Sequence, residues 1–119
     1  MNPHIYRADI TRVVDGDTCD VTLHLGFDIL YKGRVRLTGI DTPESRTRDL
    51  EEKKRGLAAK DRLIEILKAN DNKFVLQSHG VGKYGRCLGE LFVETLGETS
   101  IQQTLINEGH GVAYFGGKR

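Results

Sequence analysis

The sequence has little of what marks a membrane, secreted or disulfide-built protein. Its two cysteines, Cys19 and Cys87, form no Cys-x-x-Cys pair, and in a chain that is not secreted such isolated thiols are expected to be reduced. No run of about 18 apolar residues is present to span a membrane. The N-terminus also lacks the apolar segment of a secretory signal. We therefore expect a cytoplasmic protein.

The chain also lacks a strong charge of either sign. Eighteen basic and 17 acidic residues give a formal net charge of +1, so global charge neither favours nor excludes a polyanionic partner. Only a local basic surface could favour one. Basic residues are concentrated at 46–55, a run that is more often a solvated face; the alternative hypothesis is a loop that helps to hold nucleic acid. With 119 residues, no repeat and no low-complexity segment, the sequence predicts one domain over residues 1–119 with a single core.

Alternation of apolar and polar residues predicts strands in the first third of the chain. One covers residues 5–14, and a second begins at Cys19 with a clear period of two. A third covers about residues 30–40. The hairpin between the second and third strands can turn at residues 26–28 or at Lys32-Gly33, and the sequence leaves both registers open.

Helical periodicity follows. Apolar residues on one face predict a helix over about residues 51–69. Residues 74–79 and 87–93 are predicted strands, and Thr99 to Gln102 resembles a capping box that opens a short helix closed by Gly109. Three strands, a helix, two strands and a helix indicate an α+β, mainly β fold. This order is compatible with a five-stranded Greek-key barrel of the OB type, with a helix between strands 3 and 4 and a short C-terminal helix.

The predicted hairpin has a consequence for Asp17 and Asp41. If the strands pair about a centre near residue 29, these two aspartates lie beside each other. Two adjacent carboxylates repel unless a cation or a shared proton compensates. The pair is therefore a candidate site and not a packing device.

Three motifs combine into one kind of chemistry. Val-Asp-Gly-Asp-Thr at 14–18, Arg-Leu-Thr-Gly-Ile-Asp-Thr-Pro-Glu at 36–44 and Lys-Tyr-Gly-Arg at 83–86 are each ordinary turn or strand sequences when taken alone. Together they offer carboxylates for a hard cation and arginines for a phosphate. Glu44 could position or deprotonate a water molecule for attack on a phosphodiester.

In the order and spacing of these motifs the chain resembles the staphylococcal nuclease, or thermonuclease, family, from the strand before Asp15 to Tyr114. The resemblance implies an OB-fold barrel that cleaves DNA or RNA phosphodiester bonds with Ca²⁺. By position, it implies calcium ligands at Asp17, Asp41 and the Thr42 carbonyl, a catalytic trio of Arg36, Glu44 and Arg86, phosphate contacts from Lys83 and Tyr84, and a base contact from Tyr114.

The chain departs from the family pattern in three places. The segment between Asp17 and Arg36 is longer, Gly116 stands where a second base-stacking tyrosine is expected, and no C-terminal helix follows. The last departure leads to the hypothesis that a second copy, in a homo-oligomer, covers the exposed flank of the barrel. Two other functions compete with a nuclease: a non-catalytic OB module that binds nucleic acid or protein, and a structural calcium-binding domain. A structural calcium-binding domain would give Arg36 and Arg86 no role.

Overall fold

A computed structural model of the chain describes residues 5–45, 47–81 and 87–114, without the side chains of residues 80, 81 and 114. Two helices, seven strands and one 3-10 turn occupy these ranges. In chain order they are β1 (Ile5–Asp15), β2 (Thr18–His24), β3 (Leu30–Leu37), β4 (Gly39–Asp41), α1 (Leu50–Lys68), β5 (Lys73–Val81), β6 (Cys87–Phe92), the 3-10 turn (Glu94–Leu96), α2 (Ile101–Asn107) and β7 (Val112–Tyr114).

Five of the strands close into a barrel in the order β1-β2-β3-β6-β5. Neighbours pair antiparallel except β3 and β6, which run parallel over Val35–Leu37. Side chains of alternating strand positions fill the interior, and α1 and α2 add theirs to the same core. The predicted α+β, mainly β architecture is confirmed: a closed five-stranded barrel of the OB type, with α1 between the third and fourth barrel strands and the short α2 near the C-terminus.

The β2–β3 hairpin decides between the two predicted turns. It turns at residues 26–28, where the Ile29 N–H donates to the Gly26 carbonyl at 2.9 Å. Thr18 pairs with Arg36 and His24 with Leu30, so the hairpin is centred near residue 27. The predicted centre of this hairpin, near residue 29, was therefore wrong. Asp17 is therefore aligned with Leu37, whose N–H donates to the Asp17 carbonyl at 2.9 Å.

The chain reverses its path directly after β3. Gly39 has a φ of 81°, a left-handed conformation that glycine adopts without strain. It starts the short strand β4, which leaves the barrel and pairs antiparallel with β7 instead, with Gly39 opposite Tyr114 and Asp41 opposite Val112. This two-stranded sheet was not predicted. It carries Asp41 back toward the β1–β2 turn.

Helix α1 agrees with the predicted helix to within one residue at each end. Asp49 caps it by accepting hydrogen bonds from the N–H groups of Glu51 and Glu52. Its buried face points to the barrel and comprises Gly56, Ala59, Leu63, Ile66 and Leu67. No helix of the described residues is long and apolar enough to cross a membrane.

Helix α2 begins one residue later than the capping-box pattern predicted. Ser100 is the N-cap, because its hydroxyl accepts from the Gln103 N–H at 3.1 Å. Gln102 has a different role: its side chain is buried, accepts from the Leu91 N–H and donates to the carbonyls of Thr38 and Gly89. One polar side chain thereby links α2 to β6 and to the residue between β3 and β4.

Both cysteines are free thiols, as predicted from their spacing. Cys19 is fully buried in the barrel, and burial raises its pKa to about 12. A thiol with such a pKa stays protonated at neutral pH and behaves as a small apolar core residue.

Candidate functional site

The β1–β2 turn, which leads directly into Asp17, packs against α1 through Gly16. Gly16, between the two strands, is buried, and a Cβ atom built on it would lie 2.8 Å from the Ala59 Cβ and 3.1 Å from the Thr42 side chain. No larger residue fits without displacing one of these neighbours. The glycine of the Asp-Gly-Asp turn is therefore required for close packing against α1.

Asp17 joins this turn to the segment after β4. Its residue is only 8% exposed. One carboxylate oxygen accepts from the Thr18 hydroxyl at 3.0 Å, and the other accepts from the Thr42 backbone N–H at 3.1 Å. The second bond fixes Asp41 and Thr42 next to Asp17. The two aspartates themselves are not strand partners, since Asp41 pairs with Val112. The predicted proximity is thus present, but a corner in the chain produces it.

Arg36 lies between the two carboxylates. Its Nη2 atom is 3.6 Å from Asp17 Oδ2 and 3.9 Å from Asp41 Oδ1, and its side chain is 17% exposed. Its Nη1 atom donates to the Leu37 carbonyl at 2.7 Å and to the Asp17 carbonyl at 3.4 Å. A basic residue in a strand commonly lies on the solvated face. Instead the guanidinium is held by backbone oxygens, and it compensates two negative charges.

We call Asp17, Asp41, Thr42 and Arg36 the acidic corner. Its possible metal donors are all oxygens, including the Thr42 hydroxyl, which is buried and has no hydrogen-bond partner among the described residues. Among the described residues, no group of three or more His, Cys, Asp or Glu side chains is arranged to hold a metal. Two carboxylates with neutral oxygens fit Ca²⁺ or Mg²⁺ shared with a phosphate and waters, and do not form a closed cage.

Glu44 is exposed beside the acidic corner, on a backbone that is fixed on two sides. Gly56 of α1 packs so closely that a Cβ there would be 2.3 Å from the Glu44 carbonyl oxygen. Ser45 bonds Asp15 of the β1–β2 turn through both its N–H and its hydroxyl. The sequence pattern gave no sign of either support, because both depend on the packing of distant segments.

A cleft of about 410 Å³ opens next to Asp41, between the start of α1 and the loop before β7. Its surface is mainly apolar, with Arg55 as its cation. Sequence reasoning placed Arg55 in a basic segment but did not connect it with Asp41. The other lining residues are Pro43, Ala58, Gly109, His110, Gly111 and Val112.

The remaining predicted site residues cannot be placed against this corner. Lys83, Tyr84 and Arg86 lie outside the described residues, as does Gly116. Of Tyr114 only the backbone is described, paired with Gly39 in the β4–β7 sheet. Their roles stay predictions.

The fold and the acidic corner define a class: a small OB-type barrel with an oxygen-donor site beside a partly buried arginine. Comparison with protein families agrees with this class, since the model described as staphylococcal nuclease homologue matches residues 34–119. The chain belongs to that family. The match includes Arg36, Asp41, Thr42 and Glu44 but not Asp17, whose place in the site rests on its contacts. No curated protein matches the chain closely enough to serve as a relative.

Proposed function

We propose that this chain is a calcium-dependent nuclease that hydrolyses phosphodiester bonds of DNA, RNA or both by attack of water. The observation that carries the proposal is Arg36, held by two backbone carbonyls with its Nη2 within 4.0 Å of two carboxylates. A cation that binds Asp17 and Asp41 would replace the charge of the guanidinium there. The arginine donors would then be free for a phosphate oxygen.

In this proposal the two arginines act on the substrate phosphate and Glu44 acts on the attacking water. Arg36 and Arg86 would hold the phosphoryl oxygens and stabilise the charge that develops on them. Glu44 would accept a proton from the attacking water or orient it, with its backbone fixed by Gly56. Because Arg36 is already fixed by hydrogen bonds to the backbone, little side-chain freedom is lost when the phosphate binds.

Asp17, Asp41 and the oxygens of Thr42 would hold the Ca²⁺. When bound, such a cation polarises the phosphate and lowers the pKa of a coordinated water. Since the chain contributes only two carboxylates, affinity for the cation should rise when a substrate phosphate is present.

Substrate contacts beyond the phosphate are proposed for Lys83, Tyr84 and Tyr114. The basic side chain would bind phosphates, and the tyrosine rings would lie against phosphate or base. The cleft beside Asp41, with Arg55 at its edge, offers further room for the nucleotide next to the cleaved bond.

The test is cleavage of fluorescent DNA and RNA oligonucleotides with Ca²⁺, with Mg²⁺ and with chelator. We expect calcium-dependent cleavage by the wild type and a loss of at least about 100-fold in Glu44→Gln, consistent with removal of an acid–base group. Glu98→Gln is the matched control, because Glu98 is an exposed carboxylate that belongs neither to the acidic corner nor to the lining of the cleft beside Asp41. Oligonucleotide binding without cleavage, by folded protein, would favour the non-catalytic OB module instead.

A further inference from the structure

The β2–β3 hairpin ends in an apolar surface that the nuclease site does not use. We call residues 25–31 the hairpin tip. Half of the large hydrophobic side chains that are exposed in the described ranges lie in it. They are Leu25 at 41% exposed, Phe27 at 97%, Ile29 at 56%, Leu30 at 53% and Tyr31 at 40%.

The tip continues the core-facing side of the hairpin beyond the barrel. Val21 and Leu23 of β2 point into the core, and the same alternation reaches Leu25. On β3, Val35 is buried, while Tyr31 on the same face is half exposed. Over the described residues β3 pairs with β6 only from Val35 to Leu37. Over the described residues, the apolar face of the hairpin therefore extends beyond the strand pairs that cover it.

The turn holds Phe27 in a costly conformation. Gly26, Phe27 and Asp28 all have positive φ angles, of 89°, 53° and 62°. The left-handed region is sterically unfavourable for a non-glycine residue, and bulky side chains are rarely found there. The Leu25 N–H closes the turn by donating to the Ile29 carbonyl at 2.9 Å. A strained residue whose ring is almost fully exposed suggests a function in recognition.

The charges near the tip favour a partner with a similar surface. Asp28 is the one charged residue of the tip, and Lys32 follows it on β3. Neither forms an ion pair within the described part of the chain. Arg34 is engaged, since its Nε donates to Asp20 at 2.8 Å and holds the pKa of that carboxyl below its ordinary value. Among the described residues of the tip and its flanks, 24–34, no cluster of unpaired basic side chains is thus available for a polyanion or an anionic membrane.

We propose that the hairpin tip docks on the hairpin tip of a second copy of this chain, about a two-fold axis. In such a contact each residue pair occurs twice, so Asp28 of one copy faces Lys32 of the other and the reverse. Phe27 packs on the apolar face of the opposite tip. This interface is separate from the acidic corner and does not rest on nuclease activity.

The size of the tip sets the strength of the contact. By their exposed fractions the five side chains present on the order of 500 Å² of apolar surface. A standard stable interface buries about 800 Å² on each partner. The tip therefore supplies the centre of a small interface, and we expect a monomer–dimer equilibrium at micromolar concentrations.

Sedimentation velocity between about 1 and 100 μM protein tests the proposal over the range expected for a small interface. The dimer fraction should rise with concentration in the wild type and disappear in Phe27→Ser. Leu50→Ser is the matched control, because Leu50 is 80% exposed on α1, and its dimer fraction should equal that of the wild type. A wild type that stays monomeric, or a Phe27→Ser variant that still dimerises, would overturn the proposal.

Two charge variants test the two-fold geometry. Asp28→Lys and Lys32→Asp should each be monomeric alone, because each brings like charges together twice. Mixed in equal amounts they should form a heterodimer, because both pairs then have opposite signs. Three results would contradict this assignment. The first is that the two folded variants form no heterodimer, and the second is that the wild type forms assemblies larger than a dimer. The third is a monomer that binds oligonucleotides or neutral phosphatidylcholine vesicles through Phe27.

Discussion

Replacement of Gly56 by alanine tests how α1 supports the backbone of Glu44, the residue proposed to act on the attacking water. On an exposed helical site this substitution would stabilise the helix by about 1 kcal/mol. Here the new Cβ would lie 2.3 Å from the Glu44 carbonyl oxygen and 2.7 Å from the Ser45 nitrogen. Overpacking typically costs about 1–3 kcal/mol, so we expect a net destabilisation of about 0–2 kcal/mol.

The effect on activity should be much larger than the effect on stability. To reach ordinary contact distances, α1 and the Glu44 backbone must separate by about 1 Å, and a misplacement of that size can lower a rate on the order of 100-fold. Urea unfolding would measure the stability, and calcium-dependent cleavage of a fluorescent oligonucleotide would measure the rate. Leu57→Ala, the neighbouring half-exposed position, serves as control. A Gly56→Ala protein that cleaves at the wild-type rate would refute the reasoning.

Three further substitutions test other parts of the account. Arg36→Gln should lower the free energy of unfolding by about 1–3 kcal/mol, because two carboxylates lose their cation. Ca²⁺ should then raise the Tm of this variant more than that of the wild type. Equal Tm shifts would contradict the placement of Arg36 between Asp17 and Asp41. Gln102→Leu removes hydrogen bonds to three backbone groups, of which the Gly89 carbonyl still accepts from the Thr38 N–H. It should cost about 2–4 kcal/mol in urea unfolding, whereas Gln103→Leu, on an exposed position, should cost little. Two hydrogen bonds from Arg62 hold the pKa of the Glu108 carboxyl below its ordinary value, which is that of the unfolded chain. The pair stabilises the folded protein fully at a pH above the pKa that Glu108 has in the unfolded chain. This stabilisation is lost as the pH falls through the lower pKa that Glu108 has in the folded protein. Glu108→Gln should therefore cost about 0.5–1 kcal/mol at pH 7, less than for a buried pair because Glu108 is partly exposed, with a gap that closes in acid; a gap independent of pH would refute the pairing.

Local patterns predicted most of the fold. The alternation in β2 and the apolar face of α1 gave those elements, because a buried face imposes its period on the sequence. The predicted centre of the β2–β3 hairpin was two residues too far along the chain, which is a register error of four residues. It arose because both candidate turns contain glycine and a polar residue. The short β4–β7 sheet escaped prediction because its three-residue strands are too brief to show a period.

The candidate site was predictable in its parts but not in its connections. The motifs named Asp17, Asp41 and Arg36, whereas the hydrogen bond from the Thr42 N–H to Asp17 depends on the corner after Gly39. The close contact of Gly56 with the Glu44 backbone likewise joins two segments that no local pattern connects. Such contacts between distant segments leave no periodic trace in a single sequence.

The central claim is that Asp17 and Asp41 hold one cation that cleavage requires. The most direct measurement is the initial rate of oligonucleotide cleavage as a function of Ca²⁺ concentration in the wild type, Asp17→Asn and Asp41→Asn. We predict a saturating calcium dependence in the wild type, and in both variants a large loss of rate with a higher calcium requirement. A wild-type calcium dependence in either folded variant would contradict the account.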